Sequence, residues 1–273
     1  MYRDGALALR AVGNRRESLL KSLANVASGA GIFCDFDGCL APIVEVPEDA
    51  RAVRGTGTVL ARLAQRFAVV AVISGRPVSF LSRRIRAKGV RLVGLYGIEQ
   101  RVGGRLVVDP EAEGARAAIE EAVRRLTGEL RFIRGVVVEH KGLAATVHFR
   151  RAADPEEAQA RAEPIVDQVA RSAGFDLMHG RKVLEIRPRA GGDKGDALRH
   201  IVRETGVRAA LVAGDDVGDL ASFAAVSGLS PAVRVAVGSD ESPPELLHRA
   251  DVVVGSPAEF VELLSRLADE TGP

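Results

Sequence analysis

Short apolar runs, each followed by a stretch of helical period, recur along most of the 273-residue chain, the pattern of an α/β domain built on a parallel sheet. Gly31 to Phe36, Ala68 to Ile73, Arg91 to Leu95, Ala209 to Ala213, Arg234 to Val237 and Asp251 to Val254 are expected as strands. Thr56 to Arg66, Val78 to Lys88, Asp196 to Glu204, Ala221 to Ser227 and Pro257 to Glu270 are expected as helices. The alternation breaks between about 103 and 190, where the order helix, strand, strand occurs twice. Glu111 to Thr127, Val136 to His140 and Leu143 to Arg150 form the first unit, and Asp154 to Ser172, Phe175 to His179 and Lys182 to Arg187 the second. Such a segment suits a small α+β module inserted into the larger domain. The expected division is a helical extension over 1–28, a core over 29–102 and 191–273, and the insertion over 103–190. Gly103-Gly104 and Gly191-Gly192 stand at the two crossings, where glycine permits hinge dihedrals.

Charge narrows the function classes. Lys plus Arg is 38 against 36 for Asp plus Glu, and with no Trp there is no basic stretch interleaved with aromatics, so nucleic acid is not an expected partner. The opening stretch is interrupted by Arg10, Arg15 and Arg16 and lacks the apolar segment of a signal peptide, and no run of 18 apolar residues occurs. A cytoplasmic protein without membrane attachment is the expectation. The two cysteines, Cys34 and Cys39, exclude a disulfide framework, and no Cys/His cluster has zinc spacing.

In open parallel sheets ligands sit beyond the carboxyl ends of the strands, so the last residues of each apolar run carry the information. The first run ends in Asp35-Phe36-Asp37-Gly38 and the second in Ser74-Gly75-Arg76; Lys194-Gly195 opens a helix, and ALVAGDDVGD ends in Asp215, Asp216 and Asp219. A calcium loop starting at Asp35 would need glycine at its sixth position and glutamate at its twelfth, where Leu40 and Val46 stand. The glycines at 55 and 57 lack the third member of a dinucleotide fingerprint and follow no strand. Clustered carboxylates at two strand ends repel one another unless a cation or a proton relieves them. Two carboxylates, a hydroxyl, an ammonium and further carboxylates together describe phosphoryl transfer. Hard oxygens bind Mg²⁺, a carboxylate can accept the phosphoryl group, a second can handle the proton, and hydroxyl and ammonium hold the equatorial oxygens.

DFDGCL, ISGR, DKG and GDDVGD, in that order, resemble the four motifs of the haloacid dehalogenase superfamily of phosphatases, with the insertion where type C2 caps sit. GLYGIE at 94 to 99, VEHKGLAATVHFR at 138 to 150 and GRKVLEIRP at 180 to 188 are similar to segments of the trehalose-6-phosphate phosphatases. The resemblance implies a Rossmann-like parallel-sheet core with an α+β cap, and a Mg²⁺-dependent hydrolase of trehalose 6-phosphate. It implies Asp35 as nucleophile and Asp37 as acid/base. Ser74 and Lys194 would bind the phosphoryl group, Arg76 would join the substrate contacts, and Asp35, Asp37, Asp215 and Asp216 would form the metal set. A functional link to a trehalose-phosphate synthase goes with it.

The strand pattern of the insertion gives one charged and one apolar face; a charged strand face is ordinarily a solvated one, and the resemblance makes it a sugar site instead. Strand side chains alternate faces, so Glu139 and Lys141 share one face with Thr146, His148 and Arg150, and with Arg181, Val183, Glu185 and Arg187. The other face holds Val136, Val138, Val147, Phe149, Leu184 and Ile186, suited to packing under helices. Glu139, Lys141, Arg150, Arg181 and Glu185 match the family's sugar-contacting positions, while His140 and His148 read as structural. The chain departs from the pattern at Cys39, where threonine is usual, and at Gly218 and Leu220, where threonine and glutamate are usual. The rival readings are a capped phosphatase for another sugar phosphate, such as sucrose or mannosylglycerate phosphates, and a non-catalytic sugar-phosphate sensor or synthase partner.

Overall fold

The computed structural model describes residues 15–180, 182–189, 192–239 and 242–272. Helix α1 covers residues 15–24 and leads into β1 (Ala30–Cys34). Helix α2 (Thr56–Leu63), β2 (Val69–Ile73), α3 (Val78–Arg84) and β3 (Arg91–Gly94) follow, then the hairpin β4 (Glu99–Val102) and β5 (Arg105–Val108). The insertion contains α4 (Pro110–Gly114), α5 (Arg116–Leu130), β6 (Val137–His140), β7 (Ala145–His148), α6 (Pro155–Ala173), β8 (Asp176–Gly180) and β9 (Val183–Arg187). The chain returns through α7 (Lys194–Thr205), β10 (Ala209–Gly214), α8 (Leu220–Ala225), β11 (Ala232–Val237), α9 (Pro244–Arg249), β12 (Val252–Val254) and α10 (Pro257–Glu270).

The larger sheet has eight strands in the order β12-β11-β10-β1-β2-β3-β4-β5, parallel from β12 to β3 and antiparallel at the β4–β5 end. Chain order runs outward from β1 in one direction through β2 and β3, and from β10 in the other through β11 and β12. The reversal point therefore lies between β1 and β10, where open α/β sheets form a ligand crevice. Every residue of β1 and β10 is buried, as expected of central parallel strands covered on both faces. Ile32 and Cys34 face a core shared with α2, α3 and α10, and Phe33 faces one shared with α7 and α8. Helix α10 shows how local sequence sets an element: Ser256 accepts the Glu259 N–H, Pro257 takes the first helical position, and Phe260, Leu263, Leu264 and Leu267 recur at core spacing.

The cap is a four-stranded antiparallel sheet in the order β6-β7-β9-β8 with α5 and α6 on its apolar face. Val147 and Phe149, Leu184 and Ile186, Ala162 and Val166, and Leu126 and Leu130 fill that layer. A smaller cluster of Leu95, Ile98, Ala112, Leu143 and Ala144 packs where cap meets core.

Four expectations change. Gly103 and Gly104 form the turn of the β4–β5 hairpin and not a crossing, because β5 pairs with β4 inside the larger sheet, so the boundary expected at 103 falls within that sheet. The helix expected over Glu111 to Thr127 is divided into α4 and α5 around Ala115, with Asp109 and Pro110 starting the first. Within the expected extension over 1–28, α1 buries Leu20 and Leu23 in the main core, so the described part is integral to the domain. Helix α9 was not anticipated; it has six residues and only Leu246 buried. Gly191, expected at the second crossing, lies outside the described residues. Among the described residues no helix is long and apolar enough to cross a membrane.

Candidate active site

Three strand ends meet at the reversal point. Asp35 follows β1, Ser74 follows β2 and Asp215 follows β10, while Lys194 enters from the first turn of α7. All four are buried. The Phe36 N–H fixes one Asp35 oxygen (Oδ1) at 2.7 Å, and Lys194 Nζ lies 2.8 Å from the other (Oδ2). The ammonium also donates to Asp219 Oδ1 at 2.9 Å. Asp219 Oδ2 in turn accepts the backbone N–H groups of Asp215 at 3.0 Å and Asp216 at 3.3 Å. Asp35, Asp215 and Asp219 each bring a carboxylate oxygen within 4.8 Å of the others.

Three buried carboxylates around one ammonium leave an excess of negative charge. Burial first, then Asp219 and Asp216, push the Asp215 pKa up to about 8. Burial drives Asp35 and Asp219 in the same direction, against the pull of Lys194. Burial alone would lower the Lys194 pKa, but Asp219 and Asp35 outweigh it and keep the amine charged. The donor set is hard, anionic and dry, and it fits a divalent cation such as Mg²⁺. Gly38 makes the approach feasible: its φ is +78°, and a Cβ there would sit 2.0 Å from Asp215 Oδ2.

The other members of the expected metal set have different partners. Asp37 lies in the fork of Arg76, with Nε to Oδ2 at 2.8 Å and Nη2 to Oδ1 at 2.9 Å. Asp216 caps the turn after β10, accepting the Gly218 N–H at 2.8 Å. Asp219, four residues after Asp215 in GDDVGD, is the carboxylate that groups with Asp35 and Asp215. Gly218 and Leu220 do not disturb this arrangement, since Asp219 supplies its contacts directly. Cys39 is fully buried, and its loop is held by backbone bonds from Gly38 to Ala41 at 2.8 Å and from Leu40 to Phe36 at 2.9 Å.

The polar face of the cap sheet turns toward this rim. Glu185 Oε2 accepts Lys141 Nζ at 2.7 Å and Thr146 Oγ1 at 2.9 Å, while its buried Oε1 has no hydrogen-bond partner among the described residues. Glu139 contacts His148 Nε2 at 2.8 Å and lies 3.7 Å from Arg76 Nη1, so Arg76 touches both Asp37 and the cap. Burial raises the Glu139 pKa, but His148, Lys141 and Arg76 together hold it below its ordinary value. Glu139, His148 and Arg150 line a cavity of ≈ 70 Å³ whose opposite wall is the core loop over residues 44–48. Arg181 lies outside the described residues. Sequence reasoning did not single out that loop, nor Tyr96, whose half-buried ring lies between Gly75 at the Ser74 strand end and Arg187 of the cap.

The model of the trehalose-phosphatase family matches residues 33–246. This chain belongs to the trehalose-phosphatase family. It is 32% identical over 282 aligned positions to a trehalose-phosphate phosphatase of Mycobacterium avium (strain 104), covering 94% of this chain and 69% of that relative. Two solved structures share the fold. The C-terminal domain of Candida albicans trehalose-6-phosphate phosphatase aligns with a TM-score of 0.75 at 23% identity, covering 93% of this trehalose-phosphatase family member and 97% of that chain. A haloacid dehalogenase-like hydrolase from Bacteroides thetaiotaomicron aligns with a TM-score of 0.61 at 14% identity, covering 87% of this chain and 98% of that one.

Proposed function

We propose that this chain hydrolyses trehalose 6-phosphate to trehalose and phosphate, with Mg²⁺ as cofactor and an aspartyl phosphate as intermediate. The observation that carries the reading is Asp35: a buried carboxylate fixed by the Phe36 N–H, paired with Lys194 and grouped with Asp215 and Asp219, beneath a cap with acidic and basic side chains on its inner face. Family membership supports the substrate.

In this reading Asp35 attacks phosphorus, the bond to the sugar oxygen breaks, and that oxygen takes its electron pair and a proton from Asp37. Asp37 as carboxylate then removes a proton from water, which attacks the phosphorus of the acyl phosphate and regenerates Asp35. Ser74 and Lys194 hold the phosphoryl oxygens where charge is spread. Mg²⁺ held by Asp35, Asp215 and Asp219 would neutralise charge on the phosphoryl group. Because Arg76 grips both Asp37 oxygens, Asp37 must leave that fork to carry a proton. Glu139, Lys141, Arg150 and Glu185 are assigned to the sugar hydroxyls, each of which can donate and accept.

The test is phosphate release from a panel of sugar phosphates with and without Mg²⁺. Trehalose 6-phosphate is expected to be hydrolysed fastest and only with the metal; preference for another sugar phosphate would reassign the substrate, and silence across the panel would remove the catalytic reading. Glu185→Ala is expected to impair trehalose 6-phosphate far more than p-nitrophenyl phosphate, and equal losses would argue against a sugar contact.

A further inference from the structure

The last strand of the cap carries a cation that the reaction above does not use. Arg187, the final residue of β9, is 4% exposed, and its Nε and Nη1 have no hydrogen-bond partner among the described residues. A guanidinium stays charged at every accessible pH, and a charge withdrawn from water without a counter-charge is strongly unfavourable. Neither neighbouring carboxylate hydrogen-bonds Arg187, and Glu185 Oε1 is itself without a partner among the described residues. Asp176, opposite Arg187 in the β8–β9 register, pairs with Arg189 at 3.3 Å, and Glu185 gives Oε2 to Lys141 and Thr146.

Arg187 rests on the ring of Tyr96, its guanidinium carbon 4.6 Å from the centroid. Leu95 and Tyr96 have φ of 49° and 59°, a left-handed conformation that costs energy for residues other than glycine. That conformation directs the ring across the rim. The Tyr96 N–H donates to the Ser74 carbonyl at 3.1 Å, and a Cβ on Gly75 would sit 2.5 Å from the Tyr96 hydroxyl oxygen. Tyr96 thus bridges Arg187 and the Ser74–Gly75 strand end, which is one wall of the phosphoryl pocket.

We propose that Arg187 is an anion-binding residue of the cap, donating Nε and Nη1 to a phosphoryl oxygen of the sugar phosphate held at Ser74 and Lys194. The assignment rests on reading that pocket as a phosphate site. A sugar hydroxyl would satisfy the donors but leave the charge unanswered; a phosphate dianion answers both. Phosphate is then gripped by the core through Ser74 and Lys194 and by the cap through Arg187, so the anion itself draws the two together.

Calorimetric titration of inorganic phosphate into the wild type, Arg187→Gln and Arg187→Lys, with trehalose titrated separately, tests the assignment. Arg187→Gln is expected to bind phosphate about tenfold more weakly or worse while binding trehalose as the wild type does. Unchanged phosphate affinity, or equal losses for phosphate and trehalose, overturns the proposal. Arg187→Lys keeps the charge without the fork and decides the matter if the glutamine variant does not fold: weakened but measurable phosphate binding supports the assignment, and wild-type affinity overturns it. A wild-type protein that binds phosphate in this Arg187-dependent way yet releases none from trehalose 6-phosphate supports the assignment while contradicting the proposed reaction.

Discussion

Gly38 separates the two aspartates of DFDG from the carboxylate of Asp215, and no side chain fits in that gap. Gly38→Ala would both strain a backbone at φ +78° and place a methyl against Asp215, so metal-dependent turnover is expected to fall more steeply than thermal stability, measured on the same preparation. Asp35→Asn preserves volume and leaves Lys194 paired with Asp219, so the fold should persist while turnover drops by roughly 10⁴-fold. Substantial Mg²⁺-dependent activity in that variant would refute the acyl-phosphate route. Cys34 and Cys39 are both buried, and burial pushes both thiols up, so neither should react with a thiol reagent until the protein unfolds. At this scale the sequence was informative wherever a residue's partner lies a few positions away. Asp219 lies four residues after Asp215 in GDDVGD, whereas Tyr96 and Arg187 meet only across the cap–core boundary, which local patterning does not encode.

The central strands were legible because burial on both faces demands continuous apolar runs, as in β1 and β10. The β4–β5 hairpin was not, because its strands, EQRV and RLVV, mix charge with exposed apolar residues and its Gly-Gly turn has the composition of a hinge. That hairpin nevertheless has a structural task. Pro77 offers no side-chain cap to α3, and Glu99 on β4 takes that role, accepting the Val78 N–H at 2.7 Å. Glu99→Ala should cost about 1 kcal/mol, read as a lowered denaturation midpoint, with the phosphoryl pocket left intact. Both cap helices were anticipated in outline, since Asp154 and Pro155 start α6 and Gly174, at φ 72°, ends it.

For the molecule as a whole, the carboxylate cluster is a source of instability that a bound cation would reverse. Asp215 rises from its ordinary 3.8 to about 8 on folding, so between those values the folded chain binds more protons than the unfolded one. Stability contributed by this group therefore falls as pH rises through that interval. In chelator the denaturation temperature should decline from acid toward pH 8, and added Mg²⁺ should raise it most at the alkaline end. A flat profile in chelator, or no response to the metal, would count against the cluster as a cation site. One contact ties the two layers together. Arg76 holds Asp37 with two of its nitrogens and approaches Glu139 with the third, so the proposed proton donor and a residue proposed for the sugar answer to the same side chain. A cap transplanted from a relative with another sugar preference would arrive without a matched acid/base, and inherited specificity and inherited rate would have to be re-tuned together.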